Sequence, residues 1–76
     1  MKNMNLKVAR VKRKMSQYEL SFETGISQAR ISLFENGFRY PTKVQAEKIA
    51  DALQVKAEEI FPDLLSRWRN KKRRDG

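Results

Sequence analysis

The 76-residue sequence predicts an all-α fold of five short helices, and three observations lead to this prediction. Two segments, beginning at Ser16 and at Thr42, have the pattern of a capping box, in which side chains bond the free N–H groups at a helix start. Gly25 and Gly37 stand where helices would end, because glycine readily adopts the left-handed conformation of a helix exit. Apolar and polar residues do not alternate over any sustained run, so no strand is expected.

The first three helices follow from these signals. The first is predicted over about residues 6–14, where apolar residues are interspersed with basic ones. The second begins at Gln17 and stops at Gly25. Ser27 is the next cap candidate, because its hydroxyl can accept a hydrogen bond from a free backbone N–H. The third helix is therefore expected over about residues 28–36.

The fourth helix is predicted to follow Thr42, and a short fifth helix is expected over about residues 57–60. Two glutamates in the first turn favour the fifth helix, since carboxylates stabilise the positive end of the helix dipole. The helical domain is expected to span residues 1–65, with a basic tail over residues 66–76. The predicted core consists of Leu6, Val11, Met15, Leu20, Ile26, Ile31, Phe34, Val44, Ile49, Leu53, Val55, Ile60 and Phe61.

The positive charge of the chain points to a polyanionic partner. Seventeen Lys and Arg residues against nine Asp and Glu residues give a net charge of +8. Such a balance favours DNA, RNA or an anionic membrane surface. Residues 1–40 and 66–76 are both basic, whereas residues 41–65 are weakly acidic, so we expect one face for the polyanion and another for a different contact.

Residue types that are missing exclude several classes of protein. The sequence has neither cysteine nor histidine, which removes disulfides, thiolate zinc sites and the commonest general base. It has no glycine-rich phosphate loop. No apolar run reaches the roughly 18 residues of a membrane span, and the first residues lack an apolar secretory signal. We therefore expect a cytoplasmic protein that is not an enzyme and that needs no metal, cofactor, small-molecule ligand or membrane.

The second and third helices have the spacing of a helix-turn-helix. One helix begins at Gln17, the turn lies at Gly25, and the next helix begins near Gln28. The apolar residues that are spaced to hold the two helices at a fixed angle are Leu20, Ile26 and Ile31.

Short motifs in a fixed order extend this pattern over most of the chain, from about residue 6 to residue 61. They are Ser16-Gln17-Tyr18-Glu19-Leu20, Thr24-Gly25-Ile26-Ser27-Gln28, Ile31-Ser32, Glu35-Asn36-Gly37, Pro41, Ile49-Ala50-Asp51-Ala52-Leu53-Gln54-Val55 and Glu59-Ile60-Phe61. With these motifs the sequence resembles the lambda-repressor-like family, the Cro/CI or XRE-type helix-turn-helix regulators of phages and bacteria. The resemblance implies a compact five-helix bundle whose third helix enters the major groove. It also implies a sequence-specific transcriptional regulator, expected to be a repressor, that binds double-stranded DNA as a homodimer on a two-fold operator.

The third helix is predicted to read bases with the side opposite Ile31 and Phe34, since a helix turns about 100° per residue. The predicted base contacts are Ser27, Gln28, Ala29, Arg30, Ser32 and Leu33. Gln28 can bond adenine N6 and N7 together, whereas Ala29 and Leu33 can touch thymine methyl groups, so an A/T-containing half-site is expected. Leu33 departs from the polar character usual at an exposed groove position.

The DNA backbone is predicted to contact a second set of residues. They are Arg10, Gln17, Asn36, Arg39, Tyr40 and Lys43. The resemblance implies a phosphate contact for Gln17, and for Arg10 it also implies a partly buried salt bridge with Glu35. Both roles of Arg10 stay open at this point, and the exposed cations are equally explained as ordinary solvated charges.

Two other functions compete with this hypothesis. The chain can be a protein-interaction module, such as an antitoxin-type partner, for which Leu33 and the apolar group Leu64, Leu65 and Trp68 would supply a surface. Alternatively, the basic tail binds nucleic acid or a membrane surface without sequence preference. The tail is also explained as a solubilising end with no specific role.

Overall fold

The computed structural model describes residues 4–62, which form five α-helices. They are α1 (Met4–Lys12), α2 (Gln17–Thr24), α3 (Gln28–Glu35), α4 (Lys43–Leu53) and α5 (Ala57–Ile60). No strand occurs within residues 4–62, and the all-α prediction is confirmed. The predicted tail over residues 66–76 and the group Leu64, Leu65 and Trp68 lie outside the described residues.

The helix starts follow from side-chain caps, as predicted. The Ser16 hydroxyl accepts from the Glu19 N–H at 3.0 Å, and the Glu19 carboxylate accepts from the Ser16 N–H at 2.8 Å. The same reciprocal pair forms between Thr42 and Gln45 at the start of α4. Ser27 caps α3 through its hydroxyl. These bonds satisfy backbone donors that the first turn of a helix leaves without a partner.

The sequence predicts the end of α2 but not the end of α1. α2 ends at Gly25, whose φ of 73° is the left-handed conformation expected of it. α1 ends at Lys12 instead of residue 14, because Lys14 itself adopts a left-handed φ of 57°. Few residues other than glycine adopt this conformation, so nothing in the sequence marks the exit.

The core lies where the five helices meet. α2 packs against α3 and α4, α1 packs against α3 and α5, and α5 also packs against α4. The buried apolar residues are Leu6, Leu20, Ile26, Ile31, Phe34, Ala46, Ile49, Ala50, Leu53, Ile60 and Phe61. Among the helices within residues 4–62, none is both long and apolar enough to cross a bilayer.

The prediction of a core position is wrong for two residues. Val11 is 56% exposed and Val44 is 61% exposed. Each lies five residues from a buried residue on its helix, Leu6 or Ile49, and five residues turn a helix by about 140° from the buried side. Met15 and Val55 pack only partly buried against the core.

Candidate nucleic-acid interface

The outer side of α3 carries the predicted base-contacting residues. Ile31 and Phe34 turn inward and are 0% and 2% exposed. The structure leaves at least part of each predicted base contact accessible: Ser27, Ala29, Arg30 and Leu33 are exposed, whereas Gln28 and Ser32 are half-buried. The face derived from helical periodicity is therefore open to a ligand, as expected.

Arg10 and Glu35 form an ion pair that joins α1 to α3. Arg10 Nε lies 2.6 Å from Glu35 Oε2, and Arg10 Nη2 donates to Glu35 Oε1 at 3.3 Å. Arg10 Nη1 also donates to the Met15 carbonyl oxygen at 2.7 Å. The side chains are only 12% and 5% exposed. Since a charge away from water is costly unless it is paired and hydrogen-bonded, this geometry favours the structural tie for Arg10 over a phosphate contact.

Two glutamines extend this pair to the head of α3. Gln17 Nε2 donates to Glu35 Oε1 at 3.0 Å, and Gln17 Oε1 accepts from Gln28 Nε2. The predicted phosphate contact and the predicted base contact are thus bonded to each other. We refer to the side chains of Arg10, Glu35, Gln17 and Gln28 as the polar seam. The resemblance implied the Arg10–Glu35 pair, whereas the two bonds of Gln17 were not predicted.

The remaining predicted phosphate contacts follow α3 in the chain. Asn36 ends the helix, and its side-chain amide donates to the Ser32 carbonyl oxygen at 2.9 Å. Arg39 and Tyr40 are exposed in the connection to α4. Lys43 is the exposed first residue of α4, where backbone N–H groups and the helix dipole favour a phosphate. All of these residues are exposed and lie close together in the chain, between the end of α3 and the first turn of α4.

One exposed aromatic residue in the connection from α3 to α4 was not predicted as a site residue. Phe38 is 76% exposed and directly precedes Arg39 and Tyr40. Outside a helix, no periodicity in the sequence shows whether an aromatic side chain is exposed or buried. Within residues 4–62, no group of three or more acidic residues is arranged to hold a metal ion.

Comparison with known proteins identifies the family. A family model described as a helix-turn-helix matches residues 6–60, which is most of the chain. The chain belongs to the XRE or Cro/CI-type helix-turn-helix family. It is therefore a DNA-binding transcription regulator, and the predictions of the family and of a protein that is not an enzyme are confirmed.

A solved structure shows the same arrangement of helices. The restriction-modification controller protein C.AhdI from Aeromonas hydrophila is 29% identical to the chain, with a TM-score of 0.73. The match covers 78% of this chain and 89% of that one. No curated protein sequence matches the chain significantly.

Proposed function

We propose that the chain is a cytoplasmic repressor that binds a two-fold DNA operator as a homodimer, with α3 in the major groove. The observation that supports this most is the placement of Gln28. Its side-chain amide lies at the accessible N-terminus of α3 and is already held by a hydrogen bond to Gln17. Gln28 can therefore contact a base edge without losing much side-chain freedom on binding. The net charge of +8 adds the attraction for phosphates that such binding needs.

The exposed side of α3 determines which bases are read. The Gln28 amide can bond adenine, and the methyl-bearing side chains of Ala29 and Leu33 can touch thymine methyl groups. Arg30 is exposed beside them and can reach a guanine or a phosphate. Ser27 and Ser32 complete the surface with hydroxyl groups. We propose that these residues read an A/T-containing half-site.

The backbone contacts that we propose are those of Gln17, Asn36, Arg39, Tyr40 and Lys43. Gln17 and Lys43 are the first residues of α2 and α4, where free N–H groups can bind phosphate as well. Arg10 is left out of this set because its guanidinium is held by Glu35.

Selection of bound sequences from random DNA, followed by affinity measurements on variants, tests this proposal. Gln28→Ala should weaken binding to the selected operator about 5- to 150-fold, because a bidentate base contact is worth about 1–3 kcal/mol. Ala29→Glu should abolish binding, since it places a carboxylate against the DNA. Gln54→Glu is the matched control: it adds the same charge on an exposed residue after α4 and should leave affinity within about twofold at constant salt. Unchanged binding by the first two variants would contradict the role of α3.

The homodimer has its own test. A two-fold operator should bind two chains, and its half-sites should lie about one helical turn apart, because each α3 must enter the same side of the duplex. Sedimentation of the complex on a selected operator measures this stoichiometry. One chain per selected site would contradict the dimer but leave the reading role of α3 intact.

A protein-interaction role is the second candidate, and the outer side of α2 favours it. Tyr18 and Phe22 lie one turn apart and are 72% and 86% exposed. Leu33 adds an apolar position on α3. Failure to select any DNA sequence, together with a stoichiometric complex with the product of a neighbouring gene, would favour this role over DNA binding.

A further inference from the structure

The polar seam contains two groups that have only one hydrogen-bonding role each. The Arg10 guanidinium can only donate, and the Glu35 carboxylate can only accept. Their bonds, at 2.6 Å and 3.3 Å, leave Glu35 Oε1 facing Gln17 as an acceptor. The hydrogen bond between Glu35 and Gln17 can therefore have only one direction, with Gln17 as the donor.

Glu35 decides which end of the Gln17 amide faces it. Because a carboxylate accepts, the Gln17 NH₂ group must point to Glu35, at 3.0 Å. The Gln17 carbonyl oxygen then faces Gln28. Because this oxygen can only accept, Gln28 must donate a hydrogen bond from its own NH₂ group. Each bond thus constrains the next one, from Arg10 at one end of the seam to Gln28 at the other.

This order leaves Gln28 with one free N–H and its carbonyl oxygen. Adenine presents one acceptor, N7, and one donor, the N6 amino group, on its major-groove edge. Guanine presents two acceptors, N7 and O6. One donor and one acceptor on Gln28 match adenine. If the Gln17 amide were reversed, it would occupy the Gln28 carbonyl oxygen and leave both N–H groups for guanine.

We infer that Arg10 and Glu35 are positioning residues that set the preference of Gln28 for adenine over guanine, acting through Gln17. This inference rests on the proposed function, because it assumes that Gln28 meets a base. Neither positioning residue is placed to touch DNA: the Glu35 side chain is 5% exposed and the Arg10 side chain is 12% exposed. Base preference would then depend on a partly buried contact between α1 and α3.

Replacing both charges together tests the inference. Arg10→Met with Glu35→Met removes the pair without leaving a single unpaired charge, and it frees the Gln17 amide to turn. Affinity is measured for operators that differ only at the base pair whose preference is lost in Gln28→Ala. We expect the adenine-over-guanine preference at this base pair to fall roughly tenfold, the scale of one bidentate contact, with preferences elsewhere in the site unchanged. A folded double variant that keeps the full preference would overturn the inference.

Two companion variants separate positioning from simple structural support. Arg10→Lys keeps a cation beside Glu35 and should retain the adenine preference. In a Gln28→Ala background, removing both charges should cause no further change in base preference. The polar seam then no longer includes an amide that can contact a base. A further loss of adenine preference in that background would show that the charges act by another route.

A measurement without DNA completes the test. The side-chain amide signals of Gln28 in ¹H–¹⁵N spectra should shift when Arg10 and Glu35 are replaced, although neither has a bond to Gln28 in the seam. Unchanged signals would overturn the inference. If the double variant does not fold, Gln17→Ala removes the acceptor for Gln28 and should lower the same adenine preference, whereas an unchanged preference would overturn it. A wild-type protein that selects no sequence would instead overturn the proposed function itself.

Discussion

α3 is held in the protein by two kinds of chemistry that lie next to each other on its buried face. The apolar part of this face consists of Ile31 and Phe34, which lie in the core and are 0% and 2% exposed. The polar part is Glu35, which follows Ile31 by one turn on the same face and bonds Arg10 and Gln17 in the polar seam. Apolar burial stabilises in proportion to the area removed from water and has little directional preference. Hydrogen bonds to charged groups have a defined direction, so the seam is suited to orienting a side chain.

We expect these two parts of the face to have different roles. A partly buried ion pair contributes little net stability, because the cost of removing both charges from water offsets most of their attraction. The apolar part should therefore carry the folding free energy, and the polar seam should carry the orientation of Gln28. Separate substitutions in the two parts of this face can break this division.

The largest loss of stability is expected in the apolar part of the buried face of α3. Ile31→Ala should lower the free energy of unfolding by about 2–5 kcal/mol, because it removes buried methyl groups and leaves a cavity. Leu33→Ala is the matched control on the same helix: Leu33 is 37% exposed, so its loss should be clearly smaller. Urea denaturation measures both values. Equal losses of stability for the two variants would contradict the expectation that burial makes Ile31 more important for stability than Leu33.

An intermediate effect is expected when the ion pair is broken from one side. Arg10→Met alone leaves the Glu35 carboxylate with only the Gln17 donor in a site that is 5% exposed. We expect a loss of about 2 kcal/mol, below the 3–5 kcal/mol of a fully buried pair, because Gln17 still compensates part of the charge. Adding Glu35→Met should recover most of this loss in urea denaturation. A double variant as unstable as the single one would show that the seam itself carries stability.

The sequence predicted those parts of this division that depend on local chemistry. The Ser16 and Thr42 caps and the Gly25 turn each depend on residues within one helical turn, and all three are present. The outer side of α3 followed from its periodicity. The left-handed exit at Lys14 was not predictable, because it is adopted without glycine.

The bonds of Gln17 show why the rest of the site could not be predicted. Gln17 bonds Gln28, 11 residues away, and Glu35, 18 residues away. Such contacts depend on the angle between α2 and α3, which the packing of the whole core sets. The resemblance implied the Arg10–Glu35 pair, but no local pattern indicates that two glutamines extend it to the first residue of α3.

The smallest effect on stability is expected at the edge of the hydrophobic core, on α4. Val44→Ala should change the free energy of unfolding by less than about 0.5 kcal/mol, since Val44 is 61% exposed and alanine is the better helix former. Ala46→Val is the matched opposite change: Ala46 is 0% exposed, and added methyl groups in a packed core cost about 1–3 kcal/mol. Thermal or urea unfolding of the pair locates the boundary of the core within two residues. A loss above about 1 kcal/mol for Val44→Ala would instead place this valine in a contact, as the sequence pattern had indicated.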